Sequence, residues 1–333
     1  MLKFHKRRVA LRHDRFEGNM RLAILALLIC MTGSGAFSED GKSLRLIALG
    51  DMPYGPPAEV YPPYETLIEE INARSPELVF HVGDTKSGRD DCTDQLLIEQ
   101  LDYLQSIEAP VLYTPGDNEW TDCHRGAEPW ADPLDRLNFI RDLYFSAPEQ
   151  SFGRAPVLLE HQGEAGYPEN ARYQSRGIGF ITAHVVGSNN NFESRSLENV
   201  EEYFARSRAS AEWLTQSFEA FSNLEVMVVA IHADIFEFDF NEFGRERWLR
   251  HSGFHEFGNA FKAVAQSFGK PVLLVFGDSH RHVIFRPFPN DAPNVHAMEV
   301  YGARDMHAVE VVISPGASQP FVFETVWNPA FPQ

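Results

Sequence analysis

Five apolar runs in this chain each stop at residues able to bind a metal ion. They are Leu46-Ile-Ala-Leu-Gly-Asp51, Leu78-Val-Phe-His-Val-Gly-Asp84, Val111-Leu-Tyr-Thr-Pro-Gly-Asp-Asn118, Val226-Met-Val-Val-Ala-Ile-His232 and Val272-Leu-Leu-Val-Phe-Gly-Asp-Ser-His-Arg-His282. One Gly-Asp after a strand is ordinary turn chemistry. Five such endings in succession are hard to explain as turns. Carboxylate and imidazole together suit Zn, Fe, Mn or Co, and mixed N/O ligation does not choose among them. A carboxylate can bridge two ions because it offers two oxygens, and paired ions lower the pKa of a shared water enough to supply hydroxide at neutral pH.

The elements that must position these groups are legible from pattern. Continuous Val/Ile/Leu runs mark strands buried on both faces, and ligands gather beyond the carboxyl ends of strands in open α/β sheets. Residues 44–118 read as βαβαβ. One helix falls at 62–74, with Leu67, Ile68 and Ile71 apolar, and another at 94–107, with Leu96, Leu97, Leu101 and Leu104 as its stripe. Further helices are expected at 133–145, 197–221 and 258–268. A hairpin at 171–186 belongs to a second sheet. Two strands in 307–326, broken by Pro315-Gly316, are expected to finish that same second sheet. The architecture implied for 37–333 is a single domain, a two-sheet α/β sandwich with flanking helices. Segments 119–200 and 233–258 form the cleft walls. The second is rich in phenylalanine and reads as a lid or as core packing of an insertion.

This series of motifs, over about residues 46 to 285, resembles the calcineurin-like metallophosphoesterases, whose pattern runs D-x-H, G-D, G-N-H-E/D, H, G-H-x-H. The Val229 to His232 spacing is similar to the purple acid phosphatase branch. The resemblance implies a phosphoesterase with Asp51 and His282 on one metal, His232 and His280 on the other, and Asp84 bridging. Asp117 takes the amide ligand's place and Asn118 that of the proton-donating histidine; in a register shifted by one, Asn118 is itself the ligand. His124, in the loop running on through Asp122-Cys-His124, is a candidate replacement proton donor. The departures are definite. Pro53 stands where the family has histidine or glycine, Tyr54 is a stand-in ligand or a ring packed on the turn, and Asp278 and Ser279 read as insertions or supporting groups. Lys86 and Arg89, just past Asp84, read as solvated loop charges or as contacts for a substrate phosphate.

The formal net charge is −18. Residues 1–36 hold seven Lys/Arg against two Asp/Glu, or +5, so the remainder carries −23. Such a field disfavours nucleic-acid backbones and anionic membranes as partners. Arg21, the apolar run 22–31 and the small residues Ser34-Gly-Ala36 form a signal-peptide pattern over 1–36, with Met20 as an alternative start. The expected location is the periplasm or the exterior, with no stable membrane anchor after cleavage. Export leaves two cysteines, Cys92 and Cys123, on loops beyond Asp84 and Asp117, and a disulfide between them is expected. Together these readings describe an exported enzyme that hydrolyses small phosphate esters, monoesters by preference, with two divalent or trivalent transition metal ions (Fe, Zn or Mn). The alternatives are a phosphodiesterase or nucleotidase, and a non-catalytic metal or phosphate binder.

Overall fold

Leu44–Leu49, the first apolar run, forms strand β1 and pairs in parallel with β2 (Leu78–His81), which pairs in parallel with β3 (Val111–Tyr113). Helices α1 (Pro57–Arg74) and α2 (Asp94–Ser106) make the crossovers, so the expected βαβαβ unit is present. This computed structural model describes residues 43–125, 131–193, 196–236 and 252–331. The 1–36 leader and the greater part of the 233–258 segment lie outside the described residues.

Helix α1 begins at Pro57, five residues earlier than the sequence pattern suggested. Pro62 and Pro63 lie inside it. Each removes one N–H from the ladder, to the carbonyls of Ala58 and Glu59, and the buried stripe of Tyr64, Leu67, Ile68 and Ile71 holds the helix in place. Helix α2 is capped by Thr93, whose hydroxyl accepts from Leu96 N at 3.2 Å. Helix α3 (Pro133–Tyr144) is capped by Asp132 in the same manner.

The five-stranded sheet has the order β12-β11-β1-β2-β3. Its outer strands β11 (Ala308–Ile313) and β12 (Phe321–Val326) are the C-terminal pair. These strands were expected in the second sheet; they lie in the first. β11 pairs antiparallel with β1, from Leu44 opposite Ile313 to Ala48 opposite Val309, and this register buries Leu46 and Val311 together on the inner face.

The seven-stranded sheet runs β4-β5-β6-β7-β8-β10-β9. It comprises β4 (Glu160–Gln162), β5 (Tyr167–Ser175), β6 (Ile178–Thr182), β7 (Val226–Ala230), β8 (Val272–Phe276), β9 (Ile284–Phe285) and β10 (Val295–Glu299). The expected hairpin is β5–β6. Its two-residue turn, Arg176-Gly177, has both φ values positive (51° and 82°), the backbone that matches strand twist in tight hairpins.

The inner faces of the two sheets meet in one core containing Leu46, Phe80, Leu112, Phe180, Val228 and Val275. Phe80 and Phe180 meet edge to face across it, with centroids 6.0 Å apart. Helices α1 to α3 cover the outer face of the first sheet, and helices Leu197–Ala220 and His255–Phe268 that of the second. No helix among the described residues is long and apolar enough to cross a membrane.

Candidate metal centre

β1, β2 and β3 of one sheet and β7 and β8 of the other point their carboxyl ends at one place. Asp51 follows β1, Asp84 follows β2, Asp117 follows β3, His232 follows β7, and Asp278 and His280 follow β8. Asp51 and Asp84 both adopt left-handed backbone (φ 55° each). This turns their side chains out of the strand direction toward the sheet end. The turns after β2 and β3 are close: a Cβ on Gly83 (φ 89°) would lie 2.3 Å from Gly116 N, and one on Gly116 would lie 2.0 Å from Asp84 Oδ1. Glycine at both positions is what allows the Asp84 carboxylate to lie against the β3 turn. Glu119, fully buried, ties the same two turns by accepting from Thr85 N (2.6 Å), Gly116 N (3.0 Å) and the Tyr113 hydroxyl (3.2 Å).

Among the described residues two groups of candidate ligand atoms result, each with its atoms within 4.8 Å of one another. One is Asp51, Asp84 and His280; the other is Asp84, Asp117 and His232. Asp84 is common to both. His232 Nδ1–H donates to the Val82 carbonyl at 2.8 Å, which aims Nε2 at Asp117 Oδ1 (2.9 Å) and Asp84 Oδ1 (3.5 Å). On the other side His280 Nε2 lies 3.7 Å from Asp51 Oδ1.

The resemblance paired Asp51 with His282 and His232 with His280. In the structure His280 is the histidine that reaches Asp51. His282 belongs to neither group: its Nδ1–H donates to the Glu299 carbonyl (2.7 Å) and its ring stacks on Tyr301 with centroids 4.2 Å apart. The physical reason is register. Counted from Gly277, Asp278 and His280 stand at the spacing of the two histidines in G-H-x-H, and His280 is the one that lies beside Asp51. A Cβ on Gly187 would lie 2.7 Å from Asp278 Oδ1 and 2.8 Å from Asp117 Oδ1, so Asp278 flanks the Asp117 side. The signal was present in sequence, because β8 ends in the same Gly-Asp pair as β1, β2 and β3.

Asn118 has its backbone N–H on Asp84 Oδ1 (3.0 Å) and its side-chain amide on Asp84 Oδ2 (2.5 Å). The same amide donates to the Tyr54 hydroxyl at 3.1 Å, and that hydroxyl donates to Asp84 Oδ2 at 2.7 Å. Tyr54 therefore does more than pack on the turn: its oxygen is in the site, and its ring meets His280 edge-on at 5.3 Å. His124 lies in the 3-10 turn Thr121–Arg125, with Nδ1–H on the Thr121 carbonyl at 2.8 Å. Lys86 is buried rather than solvated, its ammonium donating to the Ser87 and Asn118 carbonyls (2.8 Å each).

Ser188, in a turn of four consecutive left-handed residues ending at Asn191, places its hydroxyl 2.7 Å from Asp117 Oδ2 and 2.8 Å from Asp122 Oδ1. One hydroxyl carries one proton, so one contact needs a proton from the carboxyl side. Burial and the charge of Asp117 raise Asp122 to about 7, while its ion pair with Arg125 pulls the other way. The turn is fixed from below by Arg206, fully buried, whose guanidinium donates to Asn190 Oδ1 (2.6 Å), Asn190 O (2.9 Å) and His184 O (3.0 Å).

The electrostatics of the site fit bound cations. Burial pushes Asp51 up to about 6 and holds Asp84 and Asp278 well above the usual carboxylate range, with neighbouring carboxylates adding to the effect on the latter two. Burial also opposes ionisation of Asp117, but the hydrogen bond and charge of His232 outweigh it and hold Asp117 at about 2. Burial opposes protonation of His232, yet Asp84 and Asp117 raise it well above its ordinary value. Nitrogen and oxygen donors converge from five strands, a donor set that could hold metal ions.

No family model matches this sequence, and no curated protein matches it. Among solved structures the chain is similar to a purple acid phosphatase from yellow lupin (Lupinus luteus) seeds, with a TM-score of 0.51 and 11% identity. The match covers 85% of this chain and 51% of that one, so the chain spans about half the length of the lupin enzyme. A protein of Thermus thermophilus aligns over 85% of this chain and 99% of its own, at 10% identity and a TM-score of 0.46. Two mixed sheets packed face to face, helices on both outer faces and ligand groups at the strand ends give this chain the calcineurin-like metallophosphoesterase fold.

Proposed function

We propose that the protein is an exported, metal-dependent phosphoesterase acting on small phosphate esters, monoesters by preference. The observation that carries the reading is the pair of ligand groups sharing Asp84. Asp51, Asp84 and His280 would hold one ion, and Asp84, Asp117 and His232 the other. Two such ions, when bound, activate a shared water and take up the charge of the phosphoryl oxygens.

The chain's own residues do the positioning. Asn118 and Tyr54 orient Asp84 through its two oxygens, and the Val82 carbonyl fixes the His232 ring. Asn118 has no transferable proton, so it serves by alignment. His124, on the loop after Asp117, is the candidate to protonate the leaving group. The basic-then-apolar segment before Ala36 and the disulfide between Cys92 and Cys123 both support export.

The test is hydrolysis of a panel of phosphate monoesters and diesters by protein purified without chelator, beside Asp84→Asn. Bridging charge is worth several kcal/mol, so the variant should lose about 100-fold or more in kcat and bind less metal. Turnover and metal content equal to wild type would sink the bridging role. A wild-type protein that holds metal and hydrolyses no ester would favour the non-catalytic binder. N-terminal sequencing of the same material should begin after Ala36; a mature protein keeping Met1 or Met20 would overturn export.

A further inference from the structure

Resting on the metal-centre reading, we infer that Tyr54 and Asp278 complete the two metal positions, so that each offers three oxygens and one imidazole, a donor set suited to hard ions such as Mn2+. On one side the oxygens are Asp51, Asp84 and Tyr54, with His280. On the other they are Asp84, Asp117 and Asp278, with His232.

The geometry divides in this way through Asp84. Its Oδ1 faces His232 Nε2 at 3.5 Å, and its Oδ2 accepts from the Tyr54 hydroxyl at 2.7 Å. The Tyr54 oxygen thus lies at the Oδ2 end of Asp84, and the Tyr54 ring lies edge-on to His280, the histidine grouped with Asp51, so Tyr54 would be the oxygen donor nearest that group. Pro53, two residues after Asp51, contributes no donor, and the hydroxyl of the next residue is the available oxygen there. On the opposite side, Asp278 Oδ1 and Asp117 Oδ1 lie 2.7 and 2.8 Å from where a Cβ on Gly187 would sit, so the two carboxylates face each other across that glycine, with Asp278 just outside the group of Asp84, Asp117 and His232 whose atoms all lie within 4.8 Å. Asp278 is held in that orientation by the Asp234 N–H on its Oδ2 (3.3 Å). Its own N–H donates to both Asp51 oxygens (3.1 and 3.2 Å), so residue 278 touches both halves of the centre.

Carboxylate and hydroxyl oxygens suit Mn2+ and Mg2+, whereas imidazole suits Zn2+. Every first-row series favours Zn2+ over Mn2+ in raw affinity, so the informative quantity is how the Zn2+-to-Mn2+ affinity ratio changes with the donors. The experiment is calorimetric titration of the chelator-treated full chain with MnCl2 and, separately, ZnCl2, with metal content checked by elemental analysis. Wild type should take two Mn2+. Tyr54→Phe should weaken one of the two sites about 10-fold and leave the other within about twofold; Asp278→Ala should do the same to the opposite site. Asp278→His should keep two sites and raise the Zn2+-to-Mn2+ ratio about 10-fold or more. Unchanged affinities in both Tyr54→Phe and Asp278→Ala, with circular dichroism matching wild type, would overturn the assignment. So would an unchanged ratio in Asp278→His. A wild-type chain that binds neither ion would overturn the metal centre itself and with it the phosphoesterase reading; two ions bound with insensitive variants would overturn only this donor set.

Discussion

Asp84 and His232 set the behaviour of the metal-free site. Asp84 receives two hydrogen bonds from Asn118 and one from Tyr54, yet its pKa stands well above the usual range, because burial and the charge of nearby carboxylates outweigh these donors. His232 is driven the other way and keeps its proton. A metal ion needs the carboxylates ionised and the imidazole neutral, so binding must expel protons. The sign follows: affinity falls as pH is lowered, most steeply where Asp51 (about 6) and the more strongly raised Asp84 and Asp278 take up protons. We expect about one or more protons released per ion near neutral pH. Calorimetry in two buffers of different ionisation enthalpy checks this, and identical heats in both would refute it.

At the scale of elements, the loops after β2 and β3 are tied twice. Glu119 bridges them through hydrogen bonds, and the Cys92–Cys123 disulfide, with Cα atoms 5.6 Å apart, bridges them covalently. The two cysteines are 31 residues apart. Closing a loop of that length in the unfolded chain contributes about 3–4 kcal/mol on the chain-entropy model. A Cys92→Ser/Cys123→Ser variant should therefore lose about 3 kcal/mol in denaturant unfolding. It should also bind metal more weakly, because both loops carry ligands. Unfolding midpoints equal for reduced and oxidised wild type would show that Glu119 alone holds the loops.

At the scale of the whole molecule, a second buried ionic network lies away from the metal groups. Glu169 is fully buried, accepting from Arg141 (3.1 and 2.6 Å) and from His184 Nδ1–H (2.7 Å). Burial opposes its charge, but the Arg141 cation outweighs burial and holds it far below the usual carboxylate range. Burial lowers His184 from 6.5 to about 4 despite Glu169, so its ring is neutral at pH 7. Both groups have folded pKa values below their unfolded ones, so the unfolded chain binds more protons as pH falls, and stability present at neutral pH is lost in acid. The loss begins near 6.5 through His184, where the shift corresponds to about 3 kcal/mol, and deepens near 4 as Glu169 is protonated in the unfolded chain. Glu169→Gln should lower stability at pH 7 and flatten the acid limb below about pH 4.5, where Glu169 takes up its proton in the unfolded chain, while the His184 part that begins near 6.5 remains. Chemical unfolding at several pH values measures it, and a variant curve parallel to wild type would rule the network out as the cause.

Pattern alone carried much of this protein. Period and burial in the strand runs, and Gly-Asp at their ends, determined the βαβαβ unit, the sandwich class and the positions of Asp51, Asp84, Asp117, His232 and His280 at strand ends. These are local properties, written in consecutive residues. Tertiary structure decided what depends on partners far apart in the chain. It placed β11 beside β1 rather than in the second sheet, because strand pairing is chosen by which faces bury together. It directed His280 to Asp51 and left His282 stacked on Tyr301. It brought the Tyr54 hydroxyl to Asp84 across 30 residues of sequence, and Asp278 to Asp117 across a space that Gly187 keeps open. A side chain's type announces which ligands it can hold, but only the meeting of two sheets decides which ones share an ion.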